Sequence, residues 1–334
     1  MATRKEVADK AGVSVATVSY VMNNKQGVSE ETRARVWQAI TELEYKPSYA
    51  ARSLKIQKSN NLAVFINYLG DPFEAGLLNH LEERAREAGY FLNFQTFSSE
   101  TEIEFRHQFA GRVDGLLLIG QTLQAETLQT LRANNLPIVS ITQAASDHSF
   151  DAIADIDWEM AMYQLLTHLY EQGHRRIAFM ENEHYNHPHH YRKIAFVKAM
   201  ERLQLTFNEQ YFLQGGGRLE QAQQQMYSYL RASSSEKFTA FVAASDLMAI
   251  GMLTACRQLQ IAVPEELAIC GCENILMTTQ TEPEITTIHY PRKEVAYAAV
   301  DLISKLLQQQ SAPSYKISTE LVLRKSTIQQ VSLV

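Results

Sequence analysis

Apolar runs of five or six residues alternate with amphipathic segments of helical period from residue 61 onward, and this alternation constrains the fold most strongly. Asn61–Ile66 is a nearly continuous apolar run, as expected of a strand buried on both faces. An amphipathic helix follows over residues 74–88, and Gly89 is placed to end it. Because such strand–helix units recur, the sequence predicts parallel, doubly wound α/β domains.

The alternation continues to residue 308. It predicts further strands at 91–97, 113–119, 137–141, 176–180, 211–214, 238–243 and 267–272. It predicts a helix between the second and third strands, and helices at 158–171, 190–203, 219–231, 246–258 and 292–308. A chain of 334 residues exceeds what one core normally holds, so two or three domains are expected.

The first 58 residues have a different pattern, which predicts three short helices. Thr3 and Glu6 form a capping box, and Gly12 supplies a turn after the first helix. Ser14 and Ser29 are placed to cap the second and third helices. This head carries 10 basic and 6 acidic residues, whereas the remainder carries 21 basic and 31 acidic residues. A basic head on an acidic body is typical of a polyanion-binding module joined to a soluble domain.

Composition also indicates where the protein works. No segment approaches the roughly 20 consecutive apolar residues that span a bilayer. The charged start of the chain is not followed by the apolar core of a signal peptide. Three cysteines in a chain of this length fit a reducing compartment, so we expect a cytoplasmic protein without a membrane partner.

Motifs along the whole chain are similar to those of the LacI/GalR family of transcription regulators. In the head they are 6–8 (Glu-Val-Ala), 11–14 (Ala-Gly-Val-Ser), 16–19 (Ala-Thr-Val-Ser), 28–33 (Val-Ser-Glu-Glu-Thr-Arg), 45–48 (Tyr-Lys-Pro-Ser) and 51–55 (Ala-Arg-Ser-Leu-Lys). In the body they are 113–115 (Val-Asp-Gly), 173–177 (Gly-His-Arg-Arg-Ile), 246–251 (Asp-Leu-Met-Ala-Ile-Gly), 283–287 (Pro-Glu-Ile-Thr-Thr) and 320–327 (Glu-Leu-Val-Leu-Arg-Lys-Ser-Thr).

The resemblance implies an N-terminal helix-turn-helix domain plus a periplasmic-binding-protein-like core of two doubly wound parallel-sheet subdomains. The implied bounds are 1–47 for the helix-turn-helix domain, 48–60 for the hinge helix and linker, 61–157 with 290–320 for the N-subdomain, and 158–289 with 321–334 for the C-subdomain. A homodimer would bind double-stranded operator DNA, and a small effector between the subdomains would change its affinity. The expected dimer surface is the apolar faces of the helices after Asp71 and near 250–258.

The second helix would enter the major groove with its first residues. The residues that the resemblance assigns to DNA there are Ser14, Val15, Ala16, Thr17, Ser19, Tyr20 and Asn23. Val15, Ala16 and Tyr20 would face bases, and the other side chains would more readily bind phosphates. Tyr20 stands where many relatives have a basic residue, so the half-site should depend less on bidentate reading of guanine.

Residues 48–55 resemble the hinge helix of the family. Two such helices, one from each subunit, would pair in the minor groove, with Leu54 as the wedge between central base pairs. Arg52 and Lys55 would bind phosphates. The alternative is an ordinary linker in which Leu54 packs on the body.

Residues that follow strands are the candidates for the effector site, because ligands of parallel α/β domains bind at the carboxyl ends of strands. The candidates are Asp71, Phe73, Trp158, Arg192, Asp246 and Glu273. Arg192 matches the pocket arginine of the family. Asp246 matches the acid of the family's Asn-Asp pair, and Ser245 replaces the Asn of that pair. Carboxylates beside an arginine suit ligand hydroxyls. Helix N-capping is the alternative role for Asp246.

A sugar or sugar derivative is the expected effector, with a purine or other nucleobase as the alternative. Trp158 is expected to supply the ring that stacks on the ligand, because the aromatic residue of several relatives falls near Gly217. Arg218 would favour an acidic or phosphorylated ligand, or it is simply an exposed residue at a helix start. The glycines at 215–217 form no phosphate-binding loop, because the Gly-Lys-Ser/Thr sequence does not follow them.

Other chemistries receive less support from the sequence. Four histidines in one loop provide a metal site as an alternative, although we expect none; they are His184, His187, His189 and His190. No cofactor is expected. The chain also lacks a nucleophile elbow, so we expect a DNA-binding repressor rather than a sugar-modifying enzyme or a sugar-binding protein without DNA function.

Overall fold

The computed structural model describes residues 2–22, 25–45, 58–98, 100–109, 112–142, 150–182, 189–232 and 237–328. The chain divides into two compact units, Met1–Lys58 and Ser59–Val334. Within the described residues, no helix is long and apolar enough to cross a membrane.

The described part of the first unit contains helices α1 (Arg4–Ala11), α2 (Val15–Met22) and α3 (Glu30–Glu42). The predicted capping box is confirmed, because the Glu6 N–H donates to Thr3 Oγ1 at 3.3 Å and the Thr3 N–H donates to Glu6 Oε2 at 2.6 Å. Gly12 ends α1 with a φ of +65°, a conformation that favours glycine. The small core of this unit consists of Val7, Ala8, Ala11, Val18, Val21, Val36 and Ala39.

The second unit contains two six-stranded sheets. Their strands are β1 (Asn61–Ile66), β2 (Phe91–Thr96), β3 (Gly115–Ile119), β4 (Ile138–Ile141), β5 (Ala152–Ile156), β6 (Ile177–Glu181), β7 (Phe212–Gln214), β8 (Ala240–Ala243), β9 (Ala268–Glu273), β10 (Thr286–His289), β11 (Tyr315–Ile317) and β12 (Leu321–Val322). The first sheet has the order β11-β5-β4-β3-β1-β2, and the second has the order β12-β10-β9-β8-β6-β7. Neighbouring strands are parallel, apart from β10 and β12.

Helices connect most of the strands. They are α4 (Pro72–Glu87), α5 (Glu102–Gln108), α6 (Ala125–Ala133), α7 (Trp158–Glu171), α8 (His189–Arg202), α9 (Leu219–Arg231), α10 (Asp246–Gln258) and α11 (Arg292–Leu307), with short 3-10 helices at Glu209–Tyr211 and Leu276–Thr279. The chain passes from one sheet to the other between β5 and β6, between β10 and β11, and between β11 and β12. The chain therefore connects the two sheets at three points.

The predicted fold class is confirmed, and every strand predicted from the sequence has a counterpart. The sequence analysis did not predict β5, β10, β11, β12 or α6. In β5 the buried Asp155 interrupts an otherwise apolar run, and β10 begins with two buried threonines, Thr286 and Thr287. β11 is an edge strand with exposed side chains. None of these segments has the apolar pattern by which a buried parallel strand is recognised.

The expected dimer surface near 250–258 stays a prediction, although the apolar face of α10 is already occupied within the subunit. Its apolar side chains, including Met248, Met252 and Leu253, are buried within the subunit. Large exposed apolar side chains lie instead at Phe91 and Phe94 on the edge strand β2, and at Leu276 after β9.

At Gly251, α10 lies close to the backbone of α9 and of the residue that begins it. A Cβ atom at residue 251 would lie 2.3 Å from the Leu219 carbonyl oxygen and 3.0 Å from the Gln223 nitrogen. We therefore expect Gly251→Ala to force the helices apart and to lower the free energy of unfolding by about 1–3 kcal/mol. Thermal unfolding of the variant measures this loss. Gln258→Ala, at an exposed position of the same helix, is the control, and an unchanged melting temperature for Gly251→Ala would contradict the packing.

Candidate functional site

Arg192 lies at the centre of a buried polar cluster in the second unit. It belongs to α8, which follows β6, and only 1% of its surface is exposed. Its Nη1 atom donates hydrogen bonds to the Ala244 carbonyl and, at 2.7 Å, to Glu273 Oε1. Because a buried cation needs a compensating charge, the ion pair with Glu273 makes the position of Arg192 possible.

Two aromatic rings flank the Arg192 guanidinium, and a third ring packs on both of them. The Arg192 Cζ atom lies 4.4 Å from the centroid of the Trp158 ring and 5.8 Å from that of Phe73. Tyr290 stacks on Trp158 at 6.0 Å and meets Phe73 edge-on at 4.9 Å. The cluster thus joins Phe73 of α4, which packs beside the first sheet, to Arg192 of α8, which packs beside the second sheet.

The side-on edge of the Arg192 guanidinium is unpaired. Its Nε and Nη2 atoms are buried and have no hydrogen-bond partner among the described residues. These two N–H groups point in parallel, which is the geometry that binds two acceptor atoms of one planar group. Buried donors without partners are costly, so this edge indicates a position for a ligand.

Asp155 and Tyr290 complete the cluster, and the sequence analysis missed both. Asp155 accepts hydrogen bonds from Trp158 Nε1 and from the Tyr290 hydroxyl, each at 3.0 Å. Burial raises the pKa of Asp155 to about 7, against the opposing effect of these donors and of Arg192. A carboxylate within an apolar strand was the available signal, and it was not recognised because β5 itself was not predicted.

The backbone of Glu273 has an unusual conformation that neighbouring hydrogen bonds hold. Its φ is +135°, a strained conformation for a residue with a side chain. Arg292 stabilises this corner, because its Nη1 donates to the Glu273 carbonyl at 2.7 Å and its Nη2 donates to the Asn274 carbonyl at 2.9 Å. Burial raises the pKa of the Glu273 carboxyl, and the charge of Arg192 acts against that rise.

Asp246 lies beside Glu273 but already uses both carboxylate oxygens. They accept hydrogen bonds from the Ile275 N–H at 2.8 Å and from the Thr287 hydroxyl at 2.6 Å. Burial raises its pKa to about 6. The N-capping role considered for Asp246 is wrong, because Ser245 caps α10 by accepting the Met248 N–H. Asp246 instead fixes the segment after β9 to β10.

Asp71 and Phe73 begin α4. Asp71 is the N-cap, and its Oδ1 accepts the Phe73 N–H at 2.7 Å and the Glu74 N–H at 3.3 Å. Burial raises the pKa of Asp71, and both these amide donors and the charge of Arg192 oppose the rise. The structure therefore brings Phe73, Trp158, Arg192 and Glu273 together, with Asp71 at the start of the same helix as Phe73.

The head presents a separate candidate surface at the start of α2. Val15, Ala16 and Tyr20, the residues predicted to face bases, are exposed. Ser14 caps the helix, since its hydroxyl accepts the Thr17 N–H at 3.1 Å. The Lys25 ammonium lies 5.5 Å from the centroid of the Tyr20 ring and adds positive charge to this surface.

Several predicted residues lie outside the described part of the chain: Asn23, Arg52, Leu54, Lys55, His184, His187 and the side chain of His189. Among the described residues, no group of three or more histidine, cysteine or acidic side chains is arranged to hold a metal ion. The thiols of Cys256, Cys270 and Cys272 are free and buried.

Comparisons with known proteins identify the family. The profile of bacterial regulatory proteins of the lacI family matches residues 3–48, and that of the periplasmic binding protein-like domain matches residues 166–327. An HTH-type transcriptional repressor PurR of Aliivibrio fischeri (strain MJ11) is 30% identical, with 99% of this chain and 100% of the relative covered. The chain belongs to the LacI family.

Other relatives of this LacI-family chain agree. A PurR repressor of Actinobacillus pleuropneumoniae serotype 3 is 30% identical over 98% of each chain. The structure of a transcriptional regulator CelR–cellobiose complex matches with a TM-score of 0.72 and 25% identity, covering 98% of this chain and 100% of the other. The lac repressor dimer bound to operator and anti-inducer has the same fold, with a TM-score of 0.85, 23% identity and coverage of 98% and 99%. The prediction of a transcriptional regulator rather than an enzyme is confirmed.

The ionisation of Asp155 provides a test of the cluster. Its pKa rises from 3.8 to about 7 on folding, so the folded protein holds more protons between these values and loses stability as pH rises through them. Asp155→Asn keeps partners for Trp158 and Tyr290 but removes this titration. As the pH rises from about 5 to about 8, we expect the melting temperature of the variant to increase by several degrees relative to that of the wild type.

Asp157→Asn is the matched control, because Asn caps α7 as well as Asp does. A difference between wild type and Asp155→Asn that is the same at both pH values would contradict a buried, titrating Asp155.

Proposed function

We propose that this protein is a transcriptional repressor that binds operator DNA as a homodimer and responds to a small effector held by Arg192. The observation that carries the effector site is the unpaired Nε–Nη2 edge of Arg192, buried beside the rings of Trp158 and Phe73. We assign the predicted subdomain bounds near 157, 289 and 320 to the points where the chain changes sheets. We place its action in the cytoplasm, where bacterial operator DNA is found.

The head supports the DNA-binding role. Exposed Val15, Ala16 and Tyr20 on a capped helix form a surface that fits a major groove. We assign Thr17, Ser19 and Asn23 to phosphates, and the segment with Arg52, Leu54 and Lys55 to the minor groove. Because one head covers one half-site, a palindromic operator needs two subunits. The exposed Phe91 and Phe94 on the edge strand β2 support an interface between them.

The geometry supports a sugar or sugar derivative as the effector. Carboxylates of Asp71 and Glu273 lie near the unpaired edge of Arg192, so both acceptors and donors are present for ligand hydroxyls. Aromatic rings give the apolar face of a sugar a surface to pack on. A relative of known structure, the CelR regulator, is complexed with cellobiose.

A nucleobase is the second candidate, and one observation favours it. The two parallel N–H groups of Arg192 match the O6 and N7 acceptors of an oxopurine, which arginine also reads in DNA. The nearby carboxylates favour a neutral ligand over an anion, since Glu273 already compensates the Arg192 charge.

A thermal-shift screen of sugars, sugar phosphates and purines separates these candidates, because a ligand that binds only the folded state raises the melting temperature. A hit must also change the affinity of the protein for DNA from upstream of its own coding sequence. A melting shift without any change in DNA affinity would contradict the regulatory role. A hit that weakens DNA binding identifies an inducer, and one that strengthens it identifies a corepressor.

The role of Arg192 is tested by two variants. Arg192→Met leaves Glu273 buried without a cation, and we expect a loss of about 3–5 kcal/mol in the free energy of unfolding. Adding Glu273→Gln removes that uncompensated charge and should restore much of the stability. Neither variant should show a melting shift with the screened effector, because both lack the donor edge.

Lys193→Met is the control, since it removes the neighbouring ion pair with Glu181 and leaves the cluster intact. An effector response in the stable double variant would reject Arg192 as the anchor.

The minor-groove role of Leu54 is tested on DNA. We expect Leu54→Ala to weaken binding to the operator by about 1–3 kcal/mol while binding to random DNA is retained, because the change removes a wedge and no phosphate contact. Arg52→Ala should instead weaken both and reduce the dependence of affinity on salt. Equal losses on operator and random DNA for Leu54→Ala would show that residues 48–55 act only as a tether.

A further inference from the structure

We infer that Tyr68 and Arg218 form the closing contact across the mouth of the cleft that contains Arg192. Tyr68 follows β1 of the first sheet, and Arg218 follows β7 of the second. The Arg218 Cζ atom lies 4.8 Å from the centroid of the Tyr68 ring, within the range of a cation–π contact. The contact therefore joins the two halves of the second unit, and breaking it opens a path to the buried cluster.

The loop that carries Tyr68 is held by hydrogen bonds to Glu74. The buried Glu74 carboxylate accepts the Tyr68 N–H at 3.0 Å, the Asn67 N–H at 3.1 Å and the Asn67 side-chain amide at 2.6 Å. A Cβ atom at Gly70 would lie 2.6 Å from atoms of the Tyr68 ring, so glycine leaves room for the ring to fold over the loop. These contacts fix the backbone of the loop that carries Tyr68, and 49% of the Tyr68 surface is exposed.

The turn that carries Arg218 has an equally specific backbone. Gly216 and Gly217 have φ values of +64° and +73°, which residues with side chains rarely adopt. A Cβ atom at Gly217 would lie 2.6 Å from Asn182 Nδ2. The turn begins where the Gly215 N–H donates to the Glu181 carbonyl at 2.7 Å. The run of glycines therefore has a geometric function, which is to place the exposed Arg218 opposite Tyr68.

The position of the contact gives it a role in access. Asp71 and Phe73 follow Tyr68 within five residues and lie at the inner cluster. Arg218 begins α9, which packs on α10, and α10 begins beside Glu273. Each loop is held by its own half of the unit, so a rotation of the halves separates Tyr68 from Arg218 without disturbing either loop. A water-accessible cation–π contact is weak enough to break and re-form as the cleft opens.

Trp158 provides a direct measurement that does not require the effector. The chain has two tryptophans, and Trp37→Phe leaves Trp158 of the cleft as the only one. In this full-length background, acrylamide quenching of Trp158 fluorescence reports how often the cleft opens. We expect Tyr68→Ala and Arg218→Ala each to increase the quenching constant by about two- to fivefold. The double variant should match either single variant, because both remove the same contact.

Two further variants keep the result specific. Tyr68→Phe retains the ring and should quench like the parent. Arg175→Ala removes a cation–π contact of 3.5 Å to Tyr170 elsewhere in the second unit and should also leave quenching unchanged. Unchanged quenching in Tyr68→Ala and Arg218→Ala would overturn the closing contact, and so would an equal increase in Arg175→Ala. The role of this contact in effector access rests on the proposed function. The contact itself is tested by quenching without an effector, so failure of the effector screen would not change that result.

Discussion

The buried ion pair between Arg192 and Glu273 is the interaction on which the cleft depends. A guanidinium with 1% of its surface exposed needs a compensating charge close by, and Glu273 provides it at 2.7 Å. The backbone of Glu273 is strained where it presents this carboxylate, with a φ of +135°. Arg292 then holds the strained corner through two carbonyl oxygens. The buried ion pair, the strained Glu273 and the hydrogen bonds of Arg292 thus form one connected corner of the second unit.

The same cluster connects the halves of the second unit. Phe73 comes from α4 beside the first sheet, Arg192 from α8 beside the second, and Tyr290 from the segment where the chain changes sheets. Asp155 ties Tyr290 to Trp158 through two hydrogen bonds. Under the proposed role of Arg192, a ligand at its free edge would lie beside residues from both halves. Such a ligand can favour one relative orientation of the halves only through a difference in affinity between orientations.

Much of this architecture could be predicted from the sequence. Alternating strands and helices gave the fold class, and side chains after strands included Phe73, Trp158, Arg192 and Glu273, which the structure brings together. Asp155 was missed because a buried carboxylate disrupts the apolar pattern of its strand, and its burial depends on donors distant in sequence. The hydrogen bonds of Asp246 were missed for the same reason, since Ile275 and Thr287 are local neighbours only in the folded chain. Tertiary partners, and not local propensity, decide where such groups lie.

The measurement that tests the role of Arg192 most directly is a crystal structure of the protein with the effector found by screening. Two acceptor atoms of the ligand should lie within about 3.2 Å of Nε and Nη2 of Arg192, with Nη1 still bonded to Glu273. An aromatic or apolar face of the ligand should pack on Trp158 or Phe73. A ligand bound elsewhere in the protein, with the Nε–Nη2 edge still unpaired, would contradict the assignment of this cleft as the effector site.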